Sequence, residues 1–160
     1  AIGDWVFGCD VCQEVCPFNR AAPPAREARL HARELDGWTL ERFLELDAPA
    51  FGRLFEASPI RRAGRDGFLR NVCVALGNRG HAAAAPALMR TLAHDTDALV
   101  RAHAAWALGE IAARAGEGRA ALDTEIAAAL EHAVRSDADE SVREEAAAAL
   151  ARREPLSGSR

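Results

Sequence analysis

The chain has 160 residues, of which 49% are hydrophobic and 28% are charged, and its formal net charge is −4 at pH 7. This length suits one ordinary domain, or a small module joined to one domain. The sequence has no run of about 18 apolar residues and no signal-peptide pattern, so we expect neither a membrane span nor an export signal.

The composition favours helices over strands. Alanine makes up about a quarter of the chain, tyrosine is absent and β-branched residues are sparse. Because alanine is the best helix former and branched residues favour strands, we predict an all-α fold for most of the chain.

Three cysteines near the start of the chain have the spacing of an iron–sulfur motif. Cys9, Cys12 and Cys16, followed directly by Pro17, form C-x2-C-x3-C-P. The two-cluster ferredoxin run is C-x2-C-x2-C-x3-C-P, and its fourth cysteine binds the other cluster. The three residues match its last three cysteines, and the first would fall at Val6. We therefore predict part of a ferredoxin-like 4Fe–4S module, in a chain that is a C-terminal piece of a longer protein.

Two other interpretations of these cysteines stay open. Zinc sites usually add a second Cys or His pair further along the chain, whereas His31 stands alone. A disulfide framework would leave thiols unpaired, because Cys73 is the only other cysteine. We expect Cys73 instead to be a core thiol, since it lies one helical turn from Leu69 and from Leu76. Thiols that bind iron indicate a reducing compartment, so we expect a cytoplasmic protein.

The next segment is predicted to be a linker that leads into short helices. Residues 21–37 contain the turn formers of a linker, and the pattern becomes helical from Trp38. Thr39 is predicted to cap one short helix and Asp47 the next, and Ser58 with the proline after it ends that helix.

The second half of the chain contains a repeat. Motif positions in residues 95–108 recur 42 residues later in residues 137–150, and residues 69–77 are a weaker earlier copy. Periods near 40 residues with two helices each predict a HEAT-like α-solenoid, in which stacked helix pairs share one core. We expect Arg101 and Arg143, which occupy matching positions, to form a ladder with acids of neighbouring repeats.

The same repeat positions two pairs of acids ahead of helices. Asp95 or Asp97 is predicted to cap the second helix of its pair, and Asp137 or Asp139 to do so one repeat later. Charge is also uneven along the chain, since residues 53–79 carry six arginines against two acids. Such a local basic stretch predicts either nucleic-acid binding or an ordinary solvated helix surface.

Two signatures in order resemble one enzyme family. Residues 2–19, IGDWVFGCDVCQEVCPFN, resemble the second cluster motif of epoxyqueuosine reductase. Residues 58–78, SPIRRAGRDGFLRNVCVALGN, resemble the opening of the HEAT-like domain of that family, and residues 103–109 resemble its next helix. The resemblance extends to about residue 111.

The resemblance implies an oxidoreductase that reduces the epoxide of epoxyqueuosine in tRNA, with cobalamin and two 4Fe–4S clusters. Cys9 and Cys12 would bind one cluster and Cys16 the other, and the cobalamin would bind mainly to a part that this chain lacks. Trp5, Phe7 and Phe18 would exclude solvent from the clusters, or simply pack. The 160 residues alone are then expected to be inactive.

For the RNA, the expected partner is a tRNA anticodon stem-loop, bound by arginine and amide side chains. Asn71 and Asn78 are seven residues apart and are predicted to share one face of a helix. The full candidate set is Arg61, Arg62, Arg65, Arg70, Asn71, Asn78, Arg79, His103 and also His81.

The predicted organisation is a partial ferredoxin-like module at residues 1–20, a linker at 21–37, a HEAT-like domain at 38–153 and a tail at 154–160. We expect a monomer that receives electrons from an external donor and does not bind membranes. The alternative is a HEAT-repeat scaffold fused to an electron-transfer module that serves another acceptor, and a third hypothesis is a zinc-bound scaffold without enzymatic activity.

Overall fold

The computed structural model describes residues 3–21, 23, 35, 37–114 and 120–153. Over these ranges the backbone forms α-helices, short 3-10 helices and turns without any strand, so the all-α prediction is confirmed there. Most of the predicted linker and the predicted tail at 154–160 lie outside the described residues. No helix in the described ranges combines the length and the apolar character that crossing a bilayer requires.

The described ranges contain eight α-helices, and the long ones begin after residue 60. Short 3-10 helices occur at Pro17–Ala21, Pro59–Ala63 and Ala82–Ala84. The α-helices are α1 (Val11–Glu14), α2 (Leu40–Phe43), α3 (Ala48–Leu54), α4 (Gly64–Arg79), α5 (Ala85–His94), α6 (Ala98–Ala113), α7 (Ala120–Ser136) and α8 (Glu140–Arg153).

The long helices are arranged in pairs that stack side by side. Helix α5 packs on α6 and α7 packs on α8, and each pair is joined by a three-residue loop. Helices α4, α6 and α8 form one layer, whereas α5 and α7 lie beside each other in a second layer. The short helix α2 packs on α4 at the first end of the stack. This is the arrangement of paired helices that the 42-residue period predicts.

The repeated acids begin the second helix of each pair. The Asp97 Oδ1 atom accepts a hydrogen bond from the Leu99 N–H at 2.8 Å, and Asp139 Oδ1 accepts one from the Ser141 N–H at 2.9 Å. These N-caps satisfy backbone donors that have no partner within the helix. Asp97 and Asp139 are therefore the capping members of the two predicted pairs.

The two caps predicted at the start of the domain have different outcomes. Asp47 caps α3 as predicted, because its Oδ1 accepts a hydrogen bond from the Ala50 N–H at 2.7 Å. Thr39 stands at the N-cap of α2, but its side chain makes no capping hydrogen bond. Helix α2 is four residues long. Helix α2 is therefore held by its packing against α4 and not by an N-cap hydrogen bond.

Equivalent apolar positions of successive repeats are fully buried. Val100 and Val142 have no exposed surface, and the same is true of Leu88 and Leu130. Cys73 is also fully buried, which confirms it as a core thiol. Burial raises the pKa of this thiol to about 12, with a smaller contribution from the negative charge of Asp95. The thiol therefore stays protonated near neutral pH.

Glycines allow close approach within the layer of α4, α6 and α8. A Cβ atom built on Gly77 would lie 3.0 Å from the Ala107 Cα atom, and one on Gly109 would lie 3.1 Å from the Ala149 Cα atom. Gly77 and Gly109 are the equivalent positions that follow a buried leucine in α4 and α6. The backbones are thus too close for any larger residue at these two points.

Ion pairs connect neighbouring repeats along the loops. The Arg101 guanidinium donates to both carboxylate oxygens of Asp137 at 2.8 Å, as the predicted ladder requires. Arg143 donates instead to the backbone carbonyls of residues 137 and 138 in its own repeat, so within the described residues the predicted pairing with a neighbouring acid is shown for Arg101 and not for Arg143. One step earlier, Arg65 donates to Asp95 at 2.6 and 3.2 Å. Arg65 of α4 therefore provides the first ion pair of this series.

Aromatic side chains fill the first end of the stack. Phe43, Phe51 and Phe55 surround Phe68 of α4, with ring centroids 5.1 to 5.7 Å from the Phe68 ring. Trp38 stacks on Phe43 from outside, with its centroid 5.1 Å away. These contacts bury the apolar faces of the short helices α2 and α3, which could not be stable alone.

Candidate metal and nucleic-acid site

The three predicted cysteine ligands lie on one short segment outside the helical core. Cys9 precedes α1, Cys12 lies within it, and Cys16 follows it. Cys9 and Cys12 are exposed, Cys16 is half-buried, and all three are free thiols. Gly8 and Asp10 have positive φ angles of 65° and 44°, which turn the chain tightly beside Cys9. Glycine and aspartate are among the residues that tolerate this conformation.

The donor chemistry of the segment fits a thiolate-binding metal or cluster, but as a partial ligand set. In the described residues, no group of three or more His, Cys, Asp or Glu side chains converges on one point. In the ferredoxin pattern Cys16 binds a different cluster from Cys9 and Cys12, so these three thiols need not converge. The fit therefore rests on three accessible thiols at iron–sulfur spacing.

Apolar side chains around the cysteines are exposed. Trp5 and Phe7 expose 38% and 43% of their surface, Val15 exposes 66%, and Phe18 exposes 90%. The simpler expectation that the aromatic residues pack in a core is therefore wrong for the described part of the chain. Isolated surface aromatics are common, but five exposed large apolar residues between positions 5 and 18 form a cluster.

The start of the cysteine segment is bound to α4 by three side chains. The Asn71 Nδ2 atom donates to the Val6 carbonyl at 2.9 Å, and Asn78 Nδ2 donates to the Gly3 carbonyl. Arg79 forms an ion pair with Asp4 at 2.9 Å. This hydrogen-bonded ion pair with Arg79 lowers the pKa of the Asp4 carboxyl group. Asn71 and Asn78 do share one face of α4, and that face holds the cysteine segment.

The Arg65 side chain binds other residues of the protein and is mostly covered from solvent. Its side chain is 14% exposed, and its guanidinium donates to Asp95, to Asp66 and to the Leu46 carbonyl. Burial alone would lower the pKa of Arg65, but the hydrogen bonds to Asp95 and Asp66 raise it overall. Five of the candidate side chains bind other side chains or the cysteine segment, which leaves fewer of them free to contact RNA: Arg65, Arg70, Asn71, Asn78 and Arg79.

Arg70 and the remaining candidates lie in two places. Arg61 and Arg62 are exposed on the 3-10 helix before α4, and Arg61 makes one long hydrogen bond of 3.4 Å to the Glu56 carbonyl. Arg70 and His103 are half-buried on α4 and α6, where His103 Nδ1 lies 2.8 Å from the Leu99 carbonyl oxygen. His81 is exposed after the end of α4.

Arg70 and His103 line an open cleft beside the first cysteine. The cleft has a volume of about 480 Å³ and lies between the cysteine segment and helices α4 and α6. Trp5, Phe7 and Cys9 form its other wall. The structure therefore brings together one candidate metal ligand, two exposed aromatic rings and three candidate RNA-binding side chains, Arg70, Asn71 and His103.

Reasoning from the sequence missed the partners of Asn71, Asn78 and Arg79. The sequence did contain an indication of such partners, because asparagine is unfavourable inside a helix unless its side chain forms a hydrogen bond. The partner groups are two main-chain carbonyls and Asp4, all about 65 to 75 positions earlier in the chain. No local pattern could identify them.

Comparisons with known proteins agree with this arrangement. A family model described as HEAT repeats matches residues 60–151. A protein of Alicycliphilus denitrificans named epoxyqueuosine reductase is 42% identical over 117 residues, with 68% of this chain and 32% of the relative covered. A Xanthomonas campestris protein with the same name is 43% identical over 110 residues, with 68% and 31% covered. The chain thus spans about a third of the length of these curated relatives.

A solved structure is also similar over nearly the whole chain. It is described as epoxyqueuosine reductase with a tRNA-Tyr epoxyqueuosine-modified tRNA stem loop. It has a TM-score of 0.76 and 27% sequence identity, and the match covers 95% of this chain and 38% of that one. The predicted resemblance to epoxyqueuosine reductases is confirmed by these similarities. Because the repeat model matches more than half of its 160 residues, the chain belongs to the HEAT-repeat family.

Proposed function

We propose that this chain is the electron-relay and RNA-contacting part of an epoxyqueuosine reductase, an oxidoreductase that converts epoxyqueuosine to queuosine in tRNA. The observation that carries the proposal is the direct docking of an iron–sulfur cysteine motif on the first helix of a HEAT-like stack. Its similarity to two curated epoxyqueuosine reductases, at 42% and 43% identity, supports the same assignment.

In this proposal the cysteine segment belongs to a two-cluster ferredoxin-like module. Cys9 and Cys12 provide thiolates to one 4Fe–4S cluster and Cys16 provides one to the second, and the remaining ligands come from outside this chain. When bound, such clusters transfer single electrons. The segment's own contribution is to supply thiols at an accessible surface, in contrast to the buried Cys73.

The RNA-contacting surface is proposed to lie beside this segment, on the first helices of the stack. Arg61 and Arg62 are exposed and can contact phosphates, and Arg70 and His103 face the cleft that contains Cys9. The solved structure with a bound tRNA stem loop supports an RNA partner for this chain. The proposed partner is a tRNA anticodon stem-loop, contacted over about residues 58–110.

The remaining requirements of the reaction would be met outside the described residues. Cobalamin would bind mainly to the catalytic part of the full-length enzyme, and an external donor would supply the electrons. We propose a monomeric, cytoplasmic enzyme in which the present 160 residues alone are inactive.

The test uses the full-length protein after anaerobic reconstitution with iron and sulfide. We expect visible absorption near roughly 400 nm, and loss of iron in the variant with Cys9, Cys12 and Cys16 replaced by serine. Cys73→Ser is the matched control, because this buried thiol is not a proposed ligand, and it should keep the iron. A protein that binds zinc but not iron would reject the assignment.

The RNA half of the proposal has a separate measurement. Binding of a tRNA anticodon stem-loop by the full-length protein should weaken steeply as salt rises, because phosphate contacts release counterions. Iron loading without salt-dependent RNA binding would favour the alternative, a HEAT-repeat scaffold that passes electrons to another acceptor.

A further inference from the structure

The cysteine segment is held on α4 by two hydrogen bonds from side chains of the helix. Asn71 and Asn78 lie seven residues apart on α4, which is about 10.5 Å along a helix axis at 1.5 Å per residue. Their acceptors, the carbonyls of Val6 and Gly3, are three residues apart in a segment of turns and bends, and each lies within hydrogen-bonding distance of its amide. The segment therefore runs along α4 in the opposite direction, with one contact every two helical turns.

Further contacts fix both ends of the stretch in which residues 3–6 lie along α4. At the far end, the ion pair of Arg79 with Asp4 adds a third contact beside Asn78. Arg114, which directly follows α6, donates to the Asn78 carbonyl at 2.9 Å and holds the last turn of α4. At the near end, Arg70 Nε and Nη2 donate to Asn71 Oδ1 at 3.1 and 3.0 Å. The amide of Asn71 thus has partners through both its oxygen and its nitrogen.

The direction of the segment decides where Cys9 is placed. Since residue 3 lies near Asn78 and residue 6 near Asn71, the chain advances toward the start of α4. Cys9 consequently reaches the cleft that Arg70 and His103 line. Asn71 and Asn78 act on main-chain carbonyls, so they fix the path of the segment without restricting its side chains.

We propose that Asn71, Asn78 and Arg79 are positioning residues for the cysteine ligands: they hold residues 3–6 along α4 and so set where Cys9 stands relative to Arg70 and His103. This inference rests on the proposed function for the metal role of Cys9, but the docking itself does not. It assigns three side chains, which the sequence assigns to RNA, to contacts between α4 and the cysteine segment.

The first test measures the motion of the segment in the 160-residue chain by ¹⁵N relaxation. Asn71→Leu and Asn78→Leu remove the donors with little change in volume or charge, and leucine is a better helix former than asparagine, so α4 should remain intact. Backbone order parameters of residues 3–9 should fall from about 0.85 to about 0.6 or lower. Asn71→Gln and Asn78→Gln, which keep an amide donor, should restore part of the order.

A matched control separates the hydrogen bond that Asn71 donates to the Val6 carbonyl from those that its side-chain oxygen accepts from Arg70. Arg70→Met removes the guanidinium that shares the Asn71 oxygen but leaves the Asn71 donor in place. Residues 3–9 should therefore stay ordered in this variant. Unchanged order parameters in both leucine variants would overturn the proposed docking.

The second test distinguishes positioning from a merely structural contact. In the iron-reconstituted full-length protein, Asn78→Leu should shift the electron paramagnetic resonance signature of the reduced clusters, while tRNA stem-loop affinity stays within about twofold. An unchanged signature, or a loss of RNA affinity without a change in segment order, would overturn the proposal. A full-length protein that holds neither iron nor RNA would reject the proposed function, and the docking would still be decided by relaxation.

Discussion

At the residue scale, Arg101 and Asp137 form a largely buried ion pair between neighbouring repeats. The two side chains are 15% and 9% exposed, and both carboxylate oxygens accept hydrogen bonds from the guanidinium. The hydrogen bonds to Arg101 lower the pKa of Asp137, although burial acts in the opposite direction. The hydrogen bonds that Arg101 donates to Asp137 likewise raise the pKa of Arg101. Removing one partner would leave the other partly buried and unpaired.

Asp137→Asn is therefore expected to lower the free energy of unfolding by about 2–3 kcal/mol, measured by urea denaturation at pH 7. The matched surface control is Glu131→Gln, which breaks the exposed pair with Arg135 at 3.6 Å. This control should cost less than about 0.5 kcal/mol, because solvent screens the pair. Equal losses in the two variants would contradict the importance of burial.

The same pair makes stability depend on pH. Because the folded-state pKa of Asp137 is lowered, the unfolded chain binds more protons below the ordinary aspartate pKa of about 3.9. Its contribution to stability is therefore complete above that pH and is lost as pH falls toward the lowered value. As pH falls from 5 to 3, a range of about two units, the free energy of unfolding should decline less steeply for Asp137→Asn than for the wild-type chain.

At the scale of elements, the layer of α4, α6 and α8 depends on two glycines. Gly77 and Gly109 lie where neighbouring helices approach, since an added Cβ atom would lie 2.6 Å from the Trp106 ring at Gly77 and 2.8 Å from the Ala149 Cβ atom at Gly109. By contrast, a Cβ on Gly67 of α4 would meet only the Ala63 Cβ at 3.9 Å, which is an ordinary contact. One helix thus contains a glycine required by packing and another that packing does not require.

Gly77→Ala is expected to destabilise the chain by about 1–3 kcal/mol, because the added methyl group forces α4 away from α6. Gly67→Ala should instead stabilise it by up to about 1 kcal/mol, since alanine has the higher helix propensity. Thermal or urea unfolding of the two variants provides the comparison. A stabilising Gly77→Ala would show that the layer can widen at no cost.

At the scale of the whole molecule, positive charge is concentrated in residues 53–79, which form the first part of the helical stack. Arg65 and Arg79 are paired with acids, whereas Arg61 and Arg62 are exposed and form no ion pair within the described part of the chain. The C-terminal repeats carry the excess of acids, with eleven against six arginines between residues 110 and 154. An RNA would therefore be attracted to the first helices of the stack and repelled from the last.

Arg61→Ala with Arg62→Ala should weaken tRNA stem-loop binding by the full-length protein and reduce the slope of its salt dependence by roughly one to two. Arg135→Ala is the control, because this exposed arginine lies on α7 in the acidic half and is paired with Glu131. Its affinity should stay unchanged. Unaltered binding in the double variant would reject the proposed RNA surface.

The sequence by itself determined the features that are local or periodic. The 42-residue period predicted paired helices, the caps at Asp47, Asp97 and Asp139 lie within three residues of their N–H donors, and the buried position of Cys73 followed from its helical spacing. These features need only short-range geometry, which a pattern along the chain records directly.

Only the tertiary structure decided which polar side chains serve the protein and which remain free. Arg61 and Arg65 are both arginines of one basic stretch, yet one is exposed and the other is buried against Asp95, 30 residues away. Asn71 and Asn78 likewise bind carbonyls more than 60 positions earlier. A guanidinium or an amide has the same hydrogen-bonding capacity in both settings, so its role depends on which group the fold brings within 3 Å.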